Sequence, residues 1–429
     1  MGGGYLVGPM AHHGPDMLQF LSRWDRDPEA LGRALEAVAG HKVTFEQTRS
    51  VNSRSVFHGF DLDPLAAVTQ MDDGSWMLPH DPWNAWRSAV EETYLGEPKA
   101  PLHARIPLPY HLVPGPLRMA LYPLVAGRNK LDPEASPPDP AWPIEDRIDR
   151  YRMRLYEGLG APKTERGPWP GGKSFPLMVT LDVDTKHGMK RAAVVLDELV
   201  DLGLKPCFFL VGHGYDWDRG FCEAVRQAGG EIGLHGDLHD NRIAFCDAAE
   251  AGKRLDSCRD LIHEQRILGF RSPSLLVSDA LYEALGTRFA WDSSVPDTDT
   301  HTLLGPRRGC GTVFPFRRGG TVVLPTTMAA DDRLELLGYK GLRLLEPWRR
   351  KWAHVRAMGG LCHFLLHPEP HLFGRPLIRD LFGALIKEIL APGDAWVATP
   401  SEVAEYWRGL EDEGDRADTM QFMPIDGVL

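Results

Sequence analysis

The chain has 429 residues, of which 43% are apolar and 25% charged, an ordinary composition for a globular protein larger than a typical single domain. Its formal net charge of -11 argues against nucleic acid as a partner. No apolar run reaches the ~18 residues of a transmembrane helix, and the amino terminus resembles no signal peptide. The 6 cysteines include no Cys-x-x-Cys pair, so we expect reduced thiols and a cytoplasmic protein.

Residues 1–170 predict an amino-terminal accessory region of unknown function. Its first part predicts a helix and two short strands, at residues 18–39, 43–47 and 55–60. It also holds three closely spaced tryptophans, Trp76, Trp83 and Trp86. Core packing is the more common role for such tryptophans, although they also stack on sugar rings. We therefore expect a segment strapped onto the main domain.

From residue 175 onward, strand-like and helix-like patterns alternate. Apolar runs predict about seven strands among the segments 175–181, 205–211, 231–234, 267–270, 287–291, 321–324, 361–366 and 395–398. Helical patterns lie between them, at 188–204, 221–228, 247–265, 278–285, 347–358 and 377–390, and a last helix opens at Thr399 with a capping-box pattern. Such alternation implies parallel strands with right-handed crossovers, in a barrel or an open sheet. We predict an α/β barrel over 171–410 and an acidic tail over 411–429.

Polar residues recur where these predicted strands end. They are Asp182, Asp184, His235, His239, Arg271, Asp292 and His367. Ligand sites of parallel α/β folds form at the carboxyl ends of the strands, so these residues would converge at one mouth. Asp182 and Asp184 would share a strand face, and a helical turn would let His235 and His239 reach one ion. Alone, each pair is more often a turn, a cap or an accident, and the shared position is what predicts a catalytic divalent-metal site.

Five short motifs follow one another in this region. They are Thr-Leu-Asp-Val-Asp at 180–184, His-Gly-Asp-Leu-His at 235–239, Arg-Ser-Pro at 271–273, Trp-Asp-Ser-Ser at 291–294 and Leu-Leu-His at 365–367. The series resembles the polysaccharide deacetylases, the NodB homology family or carbohydrate esterase family 4. The resemblance covers about 172–408. It implies a distorted (β/α)7 barrel and metal-dependent removal of an N-acyl group.

The chain departs from the family pattern at two points. Asp-Val-Asp replaces the adjacent acid pair of Thr-Phe-Asp-Asp-Gly, a version similar to the subgroup that includes lipid-linked formamido-arabinose deformylases. Gly236 replaces the usual Ser or Thr between the histidines, which removes a hydroxyl that could steady the loop. The first departure leaves the substrate open.

The resemblance also implies a role for each site residue. The metal ligands would be Asp184, His235 and His239. Zinc suits two imidazoles, and a mixed nitrogen and oxygen shell also accepts cobalt or nickel. The catalytic residues would be Asp182 as general base, His367 as general acid, Arg271 holding Asp182 ionised, and Asp292 orienting His367. An ordinary ion pair remains open for Arg271, and Asp297 and Asp299 remain alternatives to Asp292.

These inferences predict a metal-dependent carbohydrate de-N-acetylase that releases acetate and a free amine. Most of the family's peptidoglycan and chitin deacetylases act outside the cytoplasm, whereas we expect a cytoplasmic protein. We therefore expect its substrate to be a biosynthetic amino-sugar or glycan intermediate, lipid-linked or nucleotide-linked. A deformylase or small-molecule amide hydrolase would use the same site. A non-catalytic glycan-binding relative is a further alternative, although it would need neither Asp182 nor His367.

Overall fold

The structure is a computed structural model. It describes residues 15–24, 26, 32–33, 35, 43–45, 69–70, 76–78, 82–95, 141–158, 167–286, 288–299 and 308–421. The strand predicted at 55–60 lies outside the described residues, as do residues 422–429 of the predicted tail.

The described strands form a small sheet and a large one. The small sheet holds β1 (Val43–Phe45), β2 (Thr69–Gln70) and β3 (Trp76–Leu78). The large sheet holds β4 (Phe175–Val183), β5 (Cys207–Leu210), β6 (Glu231–Leu234), β7 (Gly269–Phe270), β8 (Trp291–Asp292), β9 (Phe316–Arg318), β10 (Thr321–Val323), β11 (Cys362–Leu366) and β12 (Ala395–Val397).

The large sheet is a distorted (β/α) barrel, as the sequence predicts. Seven strands lie side by side and parallel, in the order β11-β4-β5-β6-β7-β8-β10. β9 adds an antiparallel edge to β10, and β12 pairs with the first residues of β4. The sheet curls until Thr327 and Met328, after β10, donate backbone bonds of 3.3 and 3.0 Å to the carbonyl of His363 in β11. This contact closes the barrel without a regular strand pair.

The helices of the described residues lie before, between and after these strands. They are α1 (Pro15–Trp24), α2 (Pro82–Val90), α3 (Arg147–Gly158), α4 (Lys186–Asp201), α5 (Arg219–Gln227), α6 (Ala248–Asp256), α7 (Arg259–Glu264), α8 (Asp279–Leu285), α9 (Asp331–Leu336), α10 (Leu345–Met358), α11 (Pro376–Leu390) and α12 (Pro400–Gln421). The helix predicted over 247–265 is divided into α6 and α7. No helix in the described part of the chain is long and apolar enough to cross a bilayer.

The predicted capping box opens α12. The backbone N–H of Glu402 donates to Thr399 Oγ1 at 3.3 Å, and the N–H of Thr399 donates to Glu402 Oε2 at 2.8 Å. These reciprocal bonds satisfy two N–H groups that a helix end leaves without partners. The helix backbone then continues across the predicted boundary at 410/411 as far as Gln421.

Parts of residues 1–170 pack directly on the barrel. Trp86 is 2% exposed and lies edge-on to Phe316 of β9, which is the core-packing role expected for it. Asp149 of α3 accepts a bond of 2.6 Å from Thr312 Oγ1, and Glu92 pairs with Arg308. Trp86 belongs to the same hydrophobic core as the apolar side chains of the large sheet. The boundary at 170/171 remains a prediction.

Candidate metal and catalytic site

Asp184 lies between the imidazoles of His235 and His239. Its Oδ1 is 3.3 Å from His235 Nε2 and 3.3 Å from His239 Nε2. Asp184 directly follows β4 and His235 directly follows β6, which is separated from β4 in the sheet by β5 alone. The three donor atoms therefore meet because parallel strands end at one mouth.

A bend, rather than the expected helical turn, brings the two histidines together. The backbone of Gly236 has φ of 69°, and a Cβ there would lie 3.0 Å from the ring of Pro273. Both observations favour glycine at this position. The imidazole centroids of His235 and His239 are consequently 5.2 Å apart.

An arginine of α6 holds this loop. Arg254 Nε donates to both carboxylate oxygens of Asp237 at 2.9 Å, and its Nη2 donates to Asp240 Oδ1 at 2.8 Å. Burial opposes the charged form of Arg254, but bonds to Asp237 and Asp240 raise its pKa overall. This clamp fixes the residues between and beside the histidines, in a chain that lacks a hydroxyl at Gly236.

A backbone contact selects the tautomer of His235. Its Nδ1 lies 3.0 Å from the carbonyl oxygen of Arg271. Because a carbonyl oxygen only accepts, Nδ1 carries a proton, which leaves Nε2, the nitrogen nearest Asp184, as the one that would bind a metal ion. A neutral imidazole with its second nitrogen bonded to a carbonyl is the usual arrangement for a metal ligand.

The donor set fits a divalent metal ion. One atom from each of Asp184, His235 and His239 lies within 4.8 Å of the others. Asp184 Oδ1 is buried and accepts no hydrogen bond from any residue that the structure describes. Burial raises the pKa of Asp184, but the charge of His239 and the closeness of both imidazoles lower it well below its usual value overall. Two imidazoles and one carboxylate form a set that binds zinc and leaves positions for water or substrate.

Asp182 lies beside this set in a buried ion pair with Arg271. Arg271 Nη1 donates to Asp182 Oδ1 at 2.7 Å, and Asp182 Oδ2 is 3.6 Å from His235 Nε2. Arg271 also donates to the backbone oxygen and hydroxyl of Ser293, each at 2.8 Å, and lies over the ring of Phe209. The arginine is therefore fixed on several sides and aims one nitrogen at Asp182.

His367 approaches from the end of β11 and is paired with Asp331. Its Nδ1 lies 2.6 Å from Asp331 Oδ1, and its backbone N–H donates to Asp331 Oδ2 at 3.1 Å. Phe373 N–H donates to the same Oδ2 at 2.9 Å. Burial lowers the pKa of His367, but Asp331 raises it well above its usual value overall.

The structure corrects the predicted partner of His367. Asp292 does not orient it, because the two Asp292 oxygens accept bonds from Tyr282 and Ser294. The alternatives are engaged elsewhere too, since Asp297 pairs with Lys351 and Asp299 pairs with Arg333. The fourth motif therefore contributes structural contacts, and an acid after β10 takes the predicted position.

Glu369 is a buried acid that the sequence reading did not single out. Its Oε1 accepts from the backbone N–H groups of Asp184 and Thr185, at 3.1 and 3.2 Å. Burial and the charge of Asp184 raise its pKa to about 8. Its side chain also requires Gly188, because a Cβ there would lie 2.4 Å from Oε1. Glu369 thus holds the backbone beside the metal-site carboxylate.

One sequence signal could have identified Asp331. It is the first acid after the predicted strand 321–324, and the carboxyl-end rule that selects the other site residues applies to it as well. Glu369 and Arg254 carry no comparable signal. Each is one of many charged residues in loops and helices, and only the folded backbone shows which of them face the site.

No protein-family model and no curated protein matches the chain. Solved structures match more than half of it. A Mycobacterium smegmatis structure with the provisional name polysaccharide deacetylase is 22% identical, with a TM-score of 0.47, over 57% of this chain and 93% of that chain. The structure of Puue allantoinase is 16% identical, with a TM-score of 0.46, over 58% of this chain and 95% of that chain.

A third match is a CE4 family pseudoenzyme from Bacillus anthracis. It is 17% identical, with a TM-score of 0.38, over 58% of this chain and 71% of that chain. The family that the five motifs resemble is thus named among these structures. Their names cover a deacetylase, an allantoinase and a pseudoenzyme.

Proposed function

We propose that the chain is a polysaccharide deacetylase family enzyme that hydrolyses the N-acyl group, chiefly N-acetyl, of an amino sugar or glycan intermediate. The observation that carries the proposal is the position of Asp184 Oδ1, 3.3 Å from both imidazoles and without a hydrogen bond from the described residues. Asp184, His235 and His239 would hold a divalent ion, preferably zinc. When bound, such an ion polarises an amide carbonyl and makes water a better nucleophile.

Two buried ion pairs supply the acid and the base. Asp182, paired with Arg271, accepts the proton of the attacking water. His367, kept protonated by Asp331, donates a proton to the departing amine nitrogen. The amide C–N bond breaks as water adds its oxygen to the carbonyl carbon, so the products are a carboxylate and a free amine.

The proposed substrate is a biosynthetic intermediate in which the amino sugar is linked to a lipid or a nucleotide. The proposed compartment is the cytoplasm, in keeping with six free cysteines. Cell fractionation tests the compartment, and recovery of a processed form outside the cytoplasm would contradict it.

Acyl release by the purified, zinc-loaded full chain tests the function. A panel of N-acetylated and N-formylated amino sugars, free, lipid-linked and nucleotide-linked, would be assayed for acetate and formate. We expect acetate, with about one metal ion per chain. A His235→Ala/His239→Ala variant should lose both metal and activity, and a Leu268→Ser surface variant should lose neither.

The outcomes separate the alternatives. Formate without acetate would identify a deformylase, and release only from other small amides would identify an amide hydrolase of different specificity. Glycan binding without hydrolysis, with metal bound, would identify a non-catalytic relative. Full metal occupancy in the double histidine variant would refute the ligand assignment.

A further inference from the structure

Most of the large apolar side chains that the described residues leave exposed lie on three neighbouring elements of the barrel. Five are exposed, and four of them lie on α4, on α11 or on the 3-10 turn Gly341–Leu344: Val194, Val200, Leu342 and Leu377. Leu342 is 75% exposed and Leu377 is 60% exposed. Single exposed leucines are ordinary, but a cluster on neighbouring elements indicates an interaction surface.

The three elements are contiguous. Arg379 of α11 donates to Glu198 of α4 at 2.5 Å, and Gly383 of α11 faces the side chain of Leu202 at the end of α4. The turn Gly341–Leu344 packs against α11. They therefore form one surface rather than three separate exposed sites.

The part of this surface nearest the catalytic mouth is basic. α4 begins two residues after Asp184, and α11 follows the loop that leaves His367. Five cations on this part form no ion pair with a described residue: Lys186, Lys190, Arg191, Lys340 and Arg343. The same stretches, 186–194, 340–346 and 376–381, expose two acids, Glu346 and Asp380. We call these three stretches the mouth-side face. It is cationic although the chain as a whole carries -11.

Helix stability does not explain this charge pattern. Lys186, Lys190 and Arg191 lie at the amino-terminal end of α4, whereas Asp197 and Asp201 lie toward its carboxyl end. The helix dipole favours the opposite arrangement, with acids first and bases last. The arrangement would instead attract a negatively charged partner to the mouth end of the helix and repel it from the far end.

We infer that the mouth-side face docks on an anionic lipid surface, with Val194, Leu342 and Leu377 entering the headgroup region and the five cations contacting lipid phosphates. An apolar surface rimmed by Lys and Arg is the composition that binds a membrane interface without spanning it. Docking in this orientation brings the mouth of the barrel to the lipid surface. The inference rests on the proposed function for one consequence, that the acylated amino sugar is carried on a lipid phosphate.

Vesicle flotation of the full chain tests the docking without any substrate. Vesicles of phosphatidylcholine would be compared with vesicles containing about one third phosphatidylglycerol, at low and high salt. We expect binding only to the anionic vesicles, reduced by salt. Leu342→Ser and Leu377→Ser should each weaken it about tenfold, because the lost side chain no longer enters the lipid. Lys190→Glu/Arg191→Glu should weaken it by about fivefold or more per residue.

Matched variants outside the face serve as controls. The apolar residue Leu268 is 46% exposed, and the side chain of Lys253 on α6 is 77% exposed. Leu268→Ser and Lys253→Glu should bind vesicles as the wild type does. All these positions are on the surface, so the variants should remain folded, which far-ultraviolet circular dichroism would check.

Three results would overturn the inference. They are equal binding to neutral and anionic vesicles, equal losses in face and control variants, and concentration-dependent dimerisation lost in Leu342→Ser without any vesicle binding. The last result would show that a second copy covers the face. Hydrolysis of a soluble N-acetyl amino sugar by the same preparation separates the two proposals. Activity without vesicle binding removes only the docking, and vesicle binding without activity on any acylated sugar removes only the proposed function.

Discussion

Asp182 and Asp184 lie two residues apart yet have different partners. Asp184 faces two imidazoles, whereas Asp182 is bonded to Arg271. We predict that Asp182→Asn retains metal and loses ~100-fold to 10,000-fold in rate, because it removes a general base. Asp184→Asn should instead weaken metal binding and recover partly at high metal concentration. Metal content and turnover measured on both variants check this.

The opposite result for these two variants would exchange their roles. If Asp182→Asn lost the metal while Asp184→Asn retained it, Asp182 would be the ligand. If neither variant changed the rate, the site itself would be wrong. The wild-type pH profile should show an alkaline limb, on which the rate falls as the general acid loses its proton.

The pair of His367 and Asp331 predicts the alkaline limb of that profile. A general acid must carry its proton, so activity falls as the pH rises through the pKa of His367. Asp331 raises that pKa against the effect of burial. Asp331→Asn should therefore move the alkaline limb to lower pH. The pH dependence of kcat/KM measures the shift. Asp292→Asn is the control variant, because Asp292 accepts hydrogen bonds from Tyr282 and Ser294. An unmoved limb would exclude Asp331 as the partner that sets this pKa.

At the scale of elements, α6 stabilises the loop that carries the two histidines. Arg254 holds Asp237 and Asp240 through three short bonds. We predict that Arg254→Met lowers metal affinity about 10-fold to 100-fold, because the loop that carries both histidines loses its clamp and the loss of contacts around metal ligands typically costs this much. Competition with a chelator measures the affinity. Arg288→Met, which removes the pair with Asp256 and a bond to the backbone of Ala284, should leave it unchanged. Equal affinities in all three proteins would show that the clamp has no role in metal binding.

A second prediction at this scale concerns the start of α4. A Cβ at Gly188 would lie 2.4 Å from Glu369 Oε1 and 2.9 Å from its Cδ. Since Glu369 is buried, Gly188→Ala should reduce the free energy of unfolding by about 1–3 kcal/mol. Gly383→Ala in α11 is the control, because its Cβ would meet only Leu202 atoms, at 3.7 and 3.8 Å. Denaturant unfolding of both variants tests the difference. Equal stability would mean that Glu369 moves aside.

The sequence predicts the strands of the barrel well and the contacts between loops poorly. β4 is buried along its whole length, and the corresponding apolar run is visible without a structure. The division of the predicted helix 247–265 into α6 and α7 is not visible, because Ser257 and Cys258 continue a polar and apolar pattern that suits either arrangement.

The site follows the same rule. Asp182, Asp184, His235, His239 and His367 could be found because each closes a predicted strand. The sequence leaves two partners for His367, since Asp292 and Asp331 both follow a predicted strand, and only the direction of the Asp292 side chain excludes it. Strand periodicity locates a residue along the chain, but it does not fix which loop side chains meet across the mouth.

At the scale of the whole molecule, the described part of the accessory region shares the core of the barrel. Glu92 pairs with Arg308, and Asp149 bonds Thr312 and the backbone of Val313. We predict that the full chain unfolds in one calorimetric transition. A chain that lacks residues 1–158 should fail to give folded protein, because it exposes the apolar partners of α2 and α3. Two separate transitions, or a folded truncated barrel, would show that the accessory region is an independent domain.

The buried pair of Asp182 and Arg271 has a consequence for sequence drift. Arg271 is fully buried, and Asp182 is the carboxylate that its Nη1 contacts. An apolar replacement of Asp182 would leave a buried cation without its counter-ion, which typically costs about 3–5 kcal/mol. A homologue that loses hydrolysis therefore cannot replace Asp182 by an apolar residue while it keeps Arg271. It has to replace both residues together, so homologues without the aspartate should also lack the arginine.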